Sequence, residues 1–151
     1  MRVIDRFHGK YDFLSNFYPA PVKFERIEFL TVEHAFQAAK TDDRELRLTV
    51  ANAPSPHAAK RMGRRLPLRS DWEAIKVGVM RELVRLKFST HPELRARLLA
   101  TGQATLVEGN TWNDRFWGVC QGEGRNQLGL ILMEVRRELA EADVPMPESN
   151  E

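Results

Sequence analysis

The sequence has one cysteine, no long apolar run and almost no excess of charge of either sign. Cys120 cannot form a disulfide within the chain, and no stretch has the length and apolar content of a signal peptide or a membrane span. We therefore expect a cytoplasmic protein without membrane contact. The 23 Lys and Arg residues against 21 Asp and Glu give a net charge of +2, which does not favour a dedicated DNA-binding protein. Any anionic ligand must be bound by a local group of residues.

Several motifs of catalysis and cofactor binding are also missing. The four histidines and the single cysteine lack the spacing of zinc ligands, and no Gly-x-Ser-x-Gly marks a serine nucleophile. Gly122, Gly124 and Gly129 do not fit the pattern Gly-x-Gly-x-x-Gly, and the Gly-Lys-Ser/Thr of a P-loop is absent. The sequence therefore predicts chemistry without a metal or another cofactor.

The length of 151 residues and the apolar fraction of 42% predict one compact domain. We expect this domain over residues 1–141 and a disordered tail over residues 142–151, where Pro145 and Pro147 lie among small and acidic residues. The fold class indicated is α+β and dominated by helices, with short strands and loops rich in aromatic residues and glycine. Two strands, 22–24 and 27–29, are expected to form a hairpin, and a third is expected over residues 105–108.

Caps and apolar spacing predict where the helices begin. Thr31 is expected to cap the first helix, a second covers Arg44 to Ala51, and Ser55 with Pro56 starts a third that Gly63 can end. Two capping boxes, Ser70 with Glu73 and Thr90 with Glu93, predict the next two helices. The last helix is defined by apolar residues at helical spacing, namely Leu128, Ile131, Leu132, Val135 and Leu139.

The polar face of the first predicted helix is the first candidate site. Glu33, Gln37 and Lys40 stand at positions i, i+4 and i+7, so an acid, an amide and an amine can point into one cleft. A carboxyl beside an apolar wall can have its pKa raised enough to donate a proton to a leaving group. The alternative is the solvated polar face of a surface helix, which is the more common pattern. His34 is expected to be structural.

The second candidate is the loop of residues 109–118 together with the glycine-rich turn that precedes the last helix. Glycines before a helix allow backbone amides to approach a phosphate or a ribose. The alternative, a loop with only a structural role, is equally well supported, although such loops rarely have large aromatic residues beside a carboxylate such as Asp114. A third candidate is the basic cluster around Gly63, which could clamp a phosphate or be a solvated face; it comprises Lys60, Arg61, Arg64, Arg65 and Arg69.

The order of these motifs resembles the YbiA-like, or NADAR, family over about residues 7–139. The motifs that carry the resemblance are Phe13-Leu-Ser-Asn-Phe17, Thr31-Val-Glu-His-Ala-Phe-Gln-Ala-Ala-Lys40, Gly63-Arg64, Arg69-Ser-Asp-Trp-Glu73, Asp114-Arg-Phe-Trp-Gly118 and Gly124-Arg-Asn-Gln-Leu-Gly129. The resemblance implies a helix-rich fold and N-glycosidase activity without a metal.

The substrates that the resemblance implies are phosphoribosylamino-pyrimidine intermediates of riboflavin biosynthesis. Their hydrolysis releases ribose 5-phosphate and a free base, which amounts to metabolite damage control. Other branches of the family remove ADP-ribose from guanine bases in nucleic acid, so an ADP-ribosyl hydrolase is the alternative within this class. A non-catalytic ADP-ribose-binding module is the alternative from another class.

For N-glycosidic cleavage we expect Glu33 to be the principal acid and base, Asp114 to orient water or ribose hydroxyls, and Lys40 to be a second candidate as a Schiff-base nucleophile. Phe17 and Trp117 are expected to stack on the base, while Trp72 and Met80 can simply be core. The full set of expected substrate-binding residues is Asn16, Phe17, Arg64, Lys76, Trp117, Gly118, Gly124 and Asn126. Among them, Arg64, Lys76 and the turn of residues 124–126 are expected to bind phosphate or ribose.

Overall fold

The computed structural model describes residues 2–143, and helices account for about half of this part of the chain. The helices are α1 (Val32–Ala38), α2 (Arg44–Ala51), α3 (Pro56–Gly63), α4 (Trp72–Thr90), α5 (Pro92–Ala100) and α6 (Gln127–Ala142). A 3-10 helix, Gly9–Leu14, precedes them. The expected fold class, α+β with helices dominant, is confirmed.

Four short strands form two separate pairs in the described residues. Strands β2 (Val22–Phe24) and β3 (Ile27–Phe29) make the expected antiparallel hairpin, with Val22 opposite Phe29. Its two-residue turn places Glu25 at φ 47° and Arg26 at φ 71°, as a tight hairpin turn requires. Strands β1 (Val3–Ile4) and β4 (Thr105–Leu106) pair in parallel. The strand predicted over residues 105–108 is therefore shorter than expected.

Two of the predicted helix starts are confirmed by their caps. The Thr31 side chain accepts a hydrogen bond from the His34 amide, and Ser55 accepts one from Ala58. Helix α2 covers the predicted residues, and the helix after Ser55 ends at Gly63. These caps satisfy amides that have no partner within the helix.

Both predicted capping boxes are wrong. The cap position of α4 is Asp71, not Ser70, and the Asp71 carboxylate is engaged by the Arg69 guanidinium at 2.6 Å instead of by helix amides. Thr90 is the last residue of α4, and α5 begins at Pro92, whose fixed φ suits a first helical position. The residue between the two helices, His91, makes no side-chain cap and contacts the Pro21 carbonyl with Nε2 at 2.7 Å.

Helix α1 is buried on every side, and this determines where its polar residues lie. Residues 31–39 are all buried, and α1 packs against α2, α3 and α4. The apolar core continues through α4 and α6, where Leu83, Phe88 and Val135 are fully enclosed. The alternative of a solvated polar face for Glu33 and Gln37 is therefore wrong, because no face of this helix is open to bulk solvent.

The predicted tail, residues 142–151, lies outside the described residues except at its start, where Ala142 is the last residue of α6. Within residues 2–143, every helix is too short or too polar to cross a lipid bilayer.

Candidate active site

A cavity of about 510 Å³ opens beside α1 and brings together polar residues that are far apart in the sequence. Its walls come from the N-terminal segment, α1, α3 and the loop of residues 108–117, and we call it the main cavity. The polar side chains that line it are His8, Ser15, Asn16, Glu33, Gln37, Lys40, His57, Lys60, Glu108 and Asp114. The apolar walls are Phe7, Phe17, Phe36, Met80, Trp112, Trp117 and Leu128.

Glu33 lies in the wall of the main cavity with only 7% of its surface exposed. Burial raises the pKa of its carboxyl, since a desolvated carboxylate is disfavoured; the Gln37 hydrogen bond and the ammonium groups of Lys60 and Lys40 act in the opposite direction. The Gln37 carboxamide donates to Oε1 of Glu33 at 2.8 Å. Glu33 is thus a fixed carboxyl group whose neutral form is favoured by its surroundings.

Lys40 follows α1 directly and reaches the same cavity. Partial burial lowers the pKa of its ammonium, and the positive charges of Arg64, Lys60 and Lys76 lower it further, while Glu33 opposes them. An amine with a lowered pKa has a larger neutral fraction near neutral pH and is a better nucleophile. The geometry therefore places an acid and a potential nucleophile in one cavity.

Glu108 is a second acid of the main cavity and is half-buried. Burial raises its pKa to about 7, and the nearby Asp114 carboxylate raises it as well. Its Oε2 accepts from the Asn110 carboxamide at 3.2 Å and packs on Gly118, where a Cβ would lie 1.8 Å from that oxygen. The absence of a side chain at Gly118 is therefore what leaves space for the Glu108 carboxyl.

Asp114 organises the loop that closes the other side of the cavity. Its Oδ1 accepts from the amides of Phe116 and Trp117, at 3.1 and 2.9 Å, which makes a tight turn. Asn110 supports the same turn by binding the backbone of Asp114 through both ends of its carboxamide. Oδ2 of Asp114 accepts no hydrogen bond from the described residues, so it is left for a ligand or water.

Asn126 holds the segment that carries Glu108. Its carboxamide accepts from the Glu108 amide at 2.9 Å and donates to the Leu106 carbonyl at 2.9 Å. Asn126 itself has φ 52°, a left-handed conformation that asparagine tolerates. A side chain at Gly129 would collide with this carboxamide at 2.4 Å, so the glycine of α6 is required by the packing.

Aromatic rings form the apolar walls of the main cavity. Trp117 meets the edge of Phe36 with centroids 5.3 Å apart, and Phe36 in turn packs on Trp72 at 5.1 Å. Phe17 forms an edge contact with His57 at 4.7 Å. Edge and offset contacts of this kind hold rings at fixed angles, so the walls are preorganised for a flat ligand. Trp72 is 4% exposed and belongs to the core, as expected.

Some of the predicted site residues lie together in the wall of the main cavity. Its lining includes Asn16, Phe17, Glu33, Lys40, Asp114 and Trp117. His34, in contrast, is structural as predicted, because its ring contacts the Thr31 hydroxyl at 2.8 Å and the Ala53 carbonyl at 3.1 Å.

The remaining predicted residues lie outside the lining of the main cavity. Lys76 forms a salt bridge with Glu73 at 2.6 Å, and the Asn126 carboxamide is used by the backbone. Gly118 supports Glu108, and Gly124 packs on the Gly118 carbonyl, so these two glycines act in loop packing. Arg64 lines a neighbouring cleft rather than the main cavity.

Glu108 and His57 line the main cavity without having been predicted as site residues. Lys60 and Trp112 also line it and were predicted only as members of the basic cluster and of the loop of residues 109–118. Glu108 lies only two residues beyond β4, and no motif in the surrounding sequence indicates that its carboxylate belongs to a site. Lys60 could be found only as one of five cations in the basic cluster. The structure selects it because α3 turns this cation toward α1.

Residues 5–140 of the chain match the model of the NADAR domain. The chain belongs to the NADAR domain family. It is 47% identical over 133 residues to N-glycosidase YbiA of Escherichia coli strain K12. The aligned region covers 86% of this chain and 82% of that protein. It is 43% identical over 140 residues to Riboflavin biosynthesis protein VVA0006 of Vibrio vulnificus, covering 91% of this chain and 37% of that protein.

The NADAR assignment also agrees with a solved structure. The NMR structure of the E. coli protein YbiA superimposes with a TM-score of 0.85 and 41% sequence identity, covering 100% of this chain and 94% of the other. The resemblance to the YbiA-like family and the helix-rich single-domain fold that it implies are therefore confirmed.

Proposed function

We propose that this NADAR-domain chain hydrolyses the N-glycosidic bond of phosphoribosylamino-pyrimidine intermediates of riboflavin biosynthesis and releases ribose 5-phosphate and a free base. The class of reaction follows from the family, since the chain is a hydrolase of N-glycosyl bonds like the relatives that are named N-glycosidases. The choice of substrate is supported by the relative that is named a riboflavin biosynthesis protein.

The observation that carries the proposal is the buried Glu33 carboxyl in the wall of an aromatic cavity. N-glycosidic cleavage requires a proton on the departing nitrogen, because an amide or amine anion is a poor leaving group. The raised pKa of Glu33 favours the protonated form that this step requires, and the Gln37 hydrogen bond fixes the orientation of the carboxyl.

In the proposed reaction Glu33 donates its proton to the glycosidic nitrogen as the bond to the anomeric carbon breaks. The electron pair of that bond leaves with the base. Water then attacks the electron-poor anomeric carbon, and its proton is taken up by a carboxylate, either Glu33 or Asp114. The free Oδ2 of Asp114 is suited to orient this water or a ribose hydroxyl, since Oδ1 is held by the loop backbone.

Lys40 offers a covalent route for a ring-opened ribose. In that route the neutral amine attacks the anomeric carbon of the ring-opened imine, the base leaves with the electron pair of its bond and a proton, and water hydrolyses the lysine imine. The lowered pKa of Lys40 supports this assignment because only the neutral amine is nucleophilic. Glu33 acts as proton donor in both routes.

The proposal is tested by offering the purified chain a phosphoribosylamino-pyrimidine and, separately, guanine-linked ADP-ribose, with base release followed by chromatography. Glu33→Ala is the control for contaminating activity. Cleavage of the phosphoribosyl compound alone is expected. Cleavage of guanine-linked ADP-ribose alone would assign the chain to reversal of ADP-ribosylation, and binding without cleavage of either compound would indicate a non-catalytic module.

A further inference from the structure

A second opening, rich in cations, lies beside the main cavity. This side cleft has a volume of about 340 Å³ and is lined by Phe17, His57, Lys60, Arg61, Arg64 and Trp112. Phe17, His57, Lys60 and Trp112 also belong to the walls of the main cavity. The two spaces share these side chains, so one ligand can occupy both.

The cations of the side cleft have no carboxylate partner among residues 2–143. Lys60, Arg61 and Arg64 form no salt bridge there, whereas Arg69 of the same basic cluster contacts Asp42 at 3.1 Å and Asp71 at 2.6 Å. Lys60 and Arg61 lie in the last turn of α3 and Arg64 follows its last residue, and like charges at such spacing repel each other. Unpaired cations around a concave space are the arrangement that binds an anion.

The carboxyl groups of the two spaces all lie in the main cavity, which Lys40 and Lys60 also line, whereas the lining of the side cleft has no acidic residue. Glu33, Glu108 and Asp114 line the main cavity, so a doubly charged phosphate placed among them would be repelled by any carboxyl that is ionised. Lys60 stands at the junction, because it lines both spaces and its charge lowers the pKa of both Glu33 and Glu108. A substrate with a neutral glycosidic bond at one end and an anionic group at the other fits this distribution.

We propose that the side cleft binds the phosphate monoester of the ribosyl substrate, with Arg61 and Arg64 on the phosphate oxygens and Lys60 between phosphate and sugar. The inference rests on the proposed function for the identity of the sugar. It assigns phosphate binding to α3 and not to Lys76 or Asn126, whose polar atoms are already engaged. The Trp112 ring, 54% exposed, forms the outer wall of the cleft and lies 5.7 Å from the Lys60 ammonium.

The test compares the binding of ribose 5-phosphate and of ribose by calorimetry, which requires no catalytic activity. The variant is the double substitution Arg61→Gln and Arg64→Gln, and the matched control is Lys23→Gln with Arg44→Gln, two exposed cations elsewhere on the surface. The double variant is expected to bind ribose 5-phosphate about 10- to 100-fold more weakly, the range for losing hydrogen bonds to a charged group. Ribose binding and the control variant are expected to be unchanged.

Equal affinity of the double variant and the control for ribose 5-phosphate would overturn the inference, as would a wild-type chain that binds ribose 5-phosphate no more tightly than ribose. A parallel titration with ADP-ribose separates the two sources of phosphate. A loss confined to ADP-ribose would show that the cleft serves a diphosphate and would overturn the assignment to a monoester. Failure of the proposed function is distinguishable, because it appears as absent cleavage while the difference in ribose 5-phosphate binding persists.

Discussion

Gly63 of α3 lies directly against the carboxamide of Gln37 on α1, so that a Cβ at position 63 would stand 1.8 Å from Oε1 of Gln37. The other end of the same carboxamide donates to Glu33 at 2.8 Å. Oε1 of Gln37 is buried and has no hydrogen-bond partner in the described part of the chain. The orientation of Gln37 is therefore determined by Glu33 on one side and by the shape of Gly63 on the other, and Gly63 helps to place Glu33 without lining the main cavity.

The substitution Gly63→Ala is expected to displace Gln37 and to lower the free energy of unfolding by about 1–3 kcal/mol, the usual cost of overpacking. In a Gln37→Ala background the same substitution should cost less, because the carboxamide is gone and only the 3.1 Å contact with the Cβ of position 37 remains, while alanine favours the helix. Urea unfolding of the two single variants and the double variant measures this coupling. Strictly additive effects would show that the contact between positions 63 and 37 is not the cause.

Glu108 is expected to make the stability of the protein depend on pH between about 4.5 and 7. Its pKa is raised to about 7 in the folded state, so in this window the folded state binds more protons than the unfolded state and stability falls as the pH rises. Glu108→Gln keeps the shape and removes the ionisation. The Tm of Glu108→Gln relative to that of the wild-type chain should therefore rise between pH 4.5 and 8. A difference in Tm that stays constant over this range would contradict the assignment.

Lys87 is a fully buried ammonium that ties α4 to the N-terminal segment, with Nζ donating to the carbonyls of Phe13 at 2.6 Å and Ser15 at 2.9 Å. Burial lowers its pKa to about 7, so between pH 7 and 10.5 the unfolded state binds more protons and stability rises with pH. Lys87→Met leaves both carbonyls without this donor. A buried polar group without a partner lowers the free energy of unfolding by about 1–3 kcal/mol.

The destabilisation by Lys87→Met should consequently be larger at pH 9 than at pH 7. Urea unfolding at the two pH values checks this, with Lys23→Met as control because Lys23 is exposed on β2. If the loss were the same at both pH values, or if the control changed in parallel, the buried ammonium would not be the source of the pH dependence.

Lys40→Arg retains the positive charge but cannot form an imine, so the covalent route predicts a loss of activity with little change in substrate binding. Borohydride reduction in the presence of substrate should add the mass of a reduced sugar to the wild-type chain at Lys40 and not to the variant. Full activity of Lys40→Arg would eliminate the covalent route and leave direct attack by water.

The sequence predicts well those features that have a local cause. Thr31 and Ser55 cap helices because a hydroxyl before an apolar run satisfies nearby amides, and the hairpin at Glu25 and Arg26 follows from two short β-branched and aromatic segments. The capping boxes at Ser70 and Thr90 fail because Arg69 engages Asp71 and because Pro92 sets the start of α5.

The site was predictable where its residues lie on one helix or just after it. Glu33, Gln37 and Lys40 could be grouped by spacing, but their burial could not, because it depends on the packing of α2, α3 and α4 around α1. Strand β1 has only Val3 and Ile4 and leaves no periodic pattern, although its pairing with β4 brings Glu108 to the cavity. The position of Glu108 depends on the pairing of chain segments about 100 residues apart, so no local sequence pattern predicts it.

The central claim is that Glu33 supplies the proton to the departing base, and a change of leaving group tests it most directly. The kcat/KM of wild-type chain and Glu33→Gln is measured on the proposed amine-linked substrate and on a ribosyl 5-phosphate fluoride, whose leaving group departs without prior protonation. The account predicts a loss of at least about 100-fold on the amine-linked substrate and little loss on the fluoride. Equal losses on both substrates, or full activity of Glu33→Gln on the amine-linked one, would contradict it.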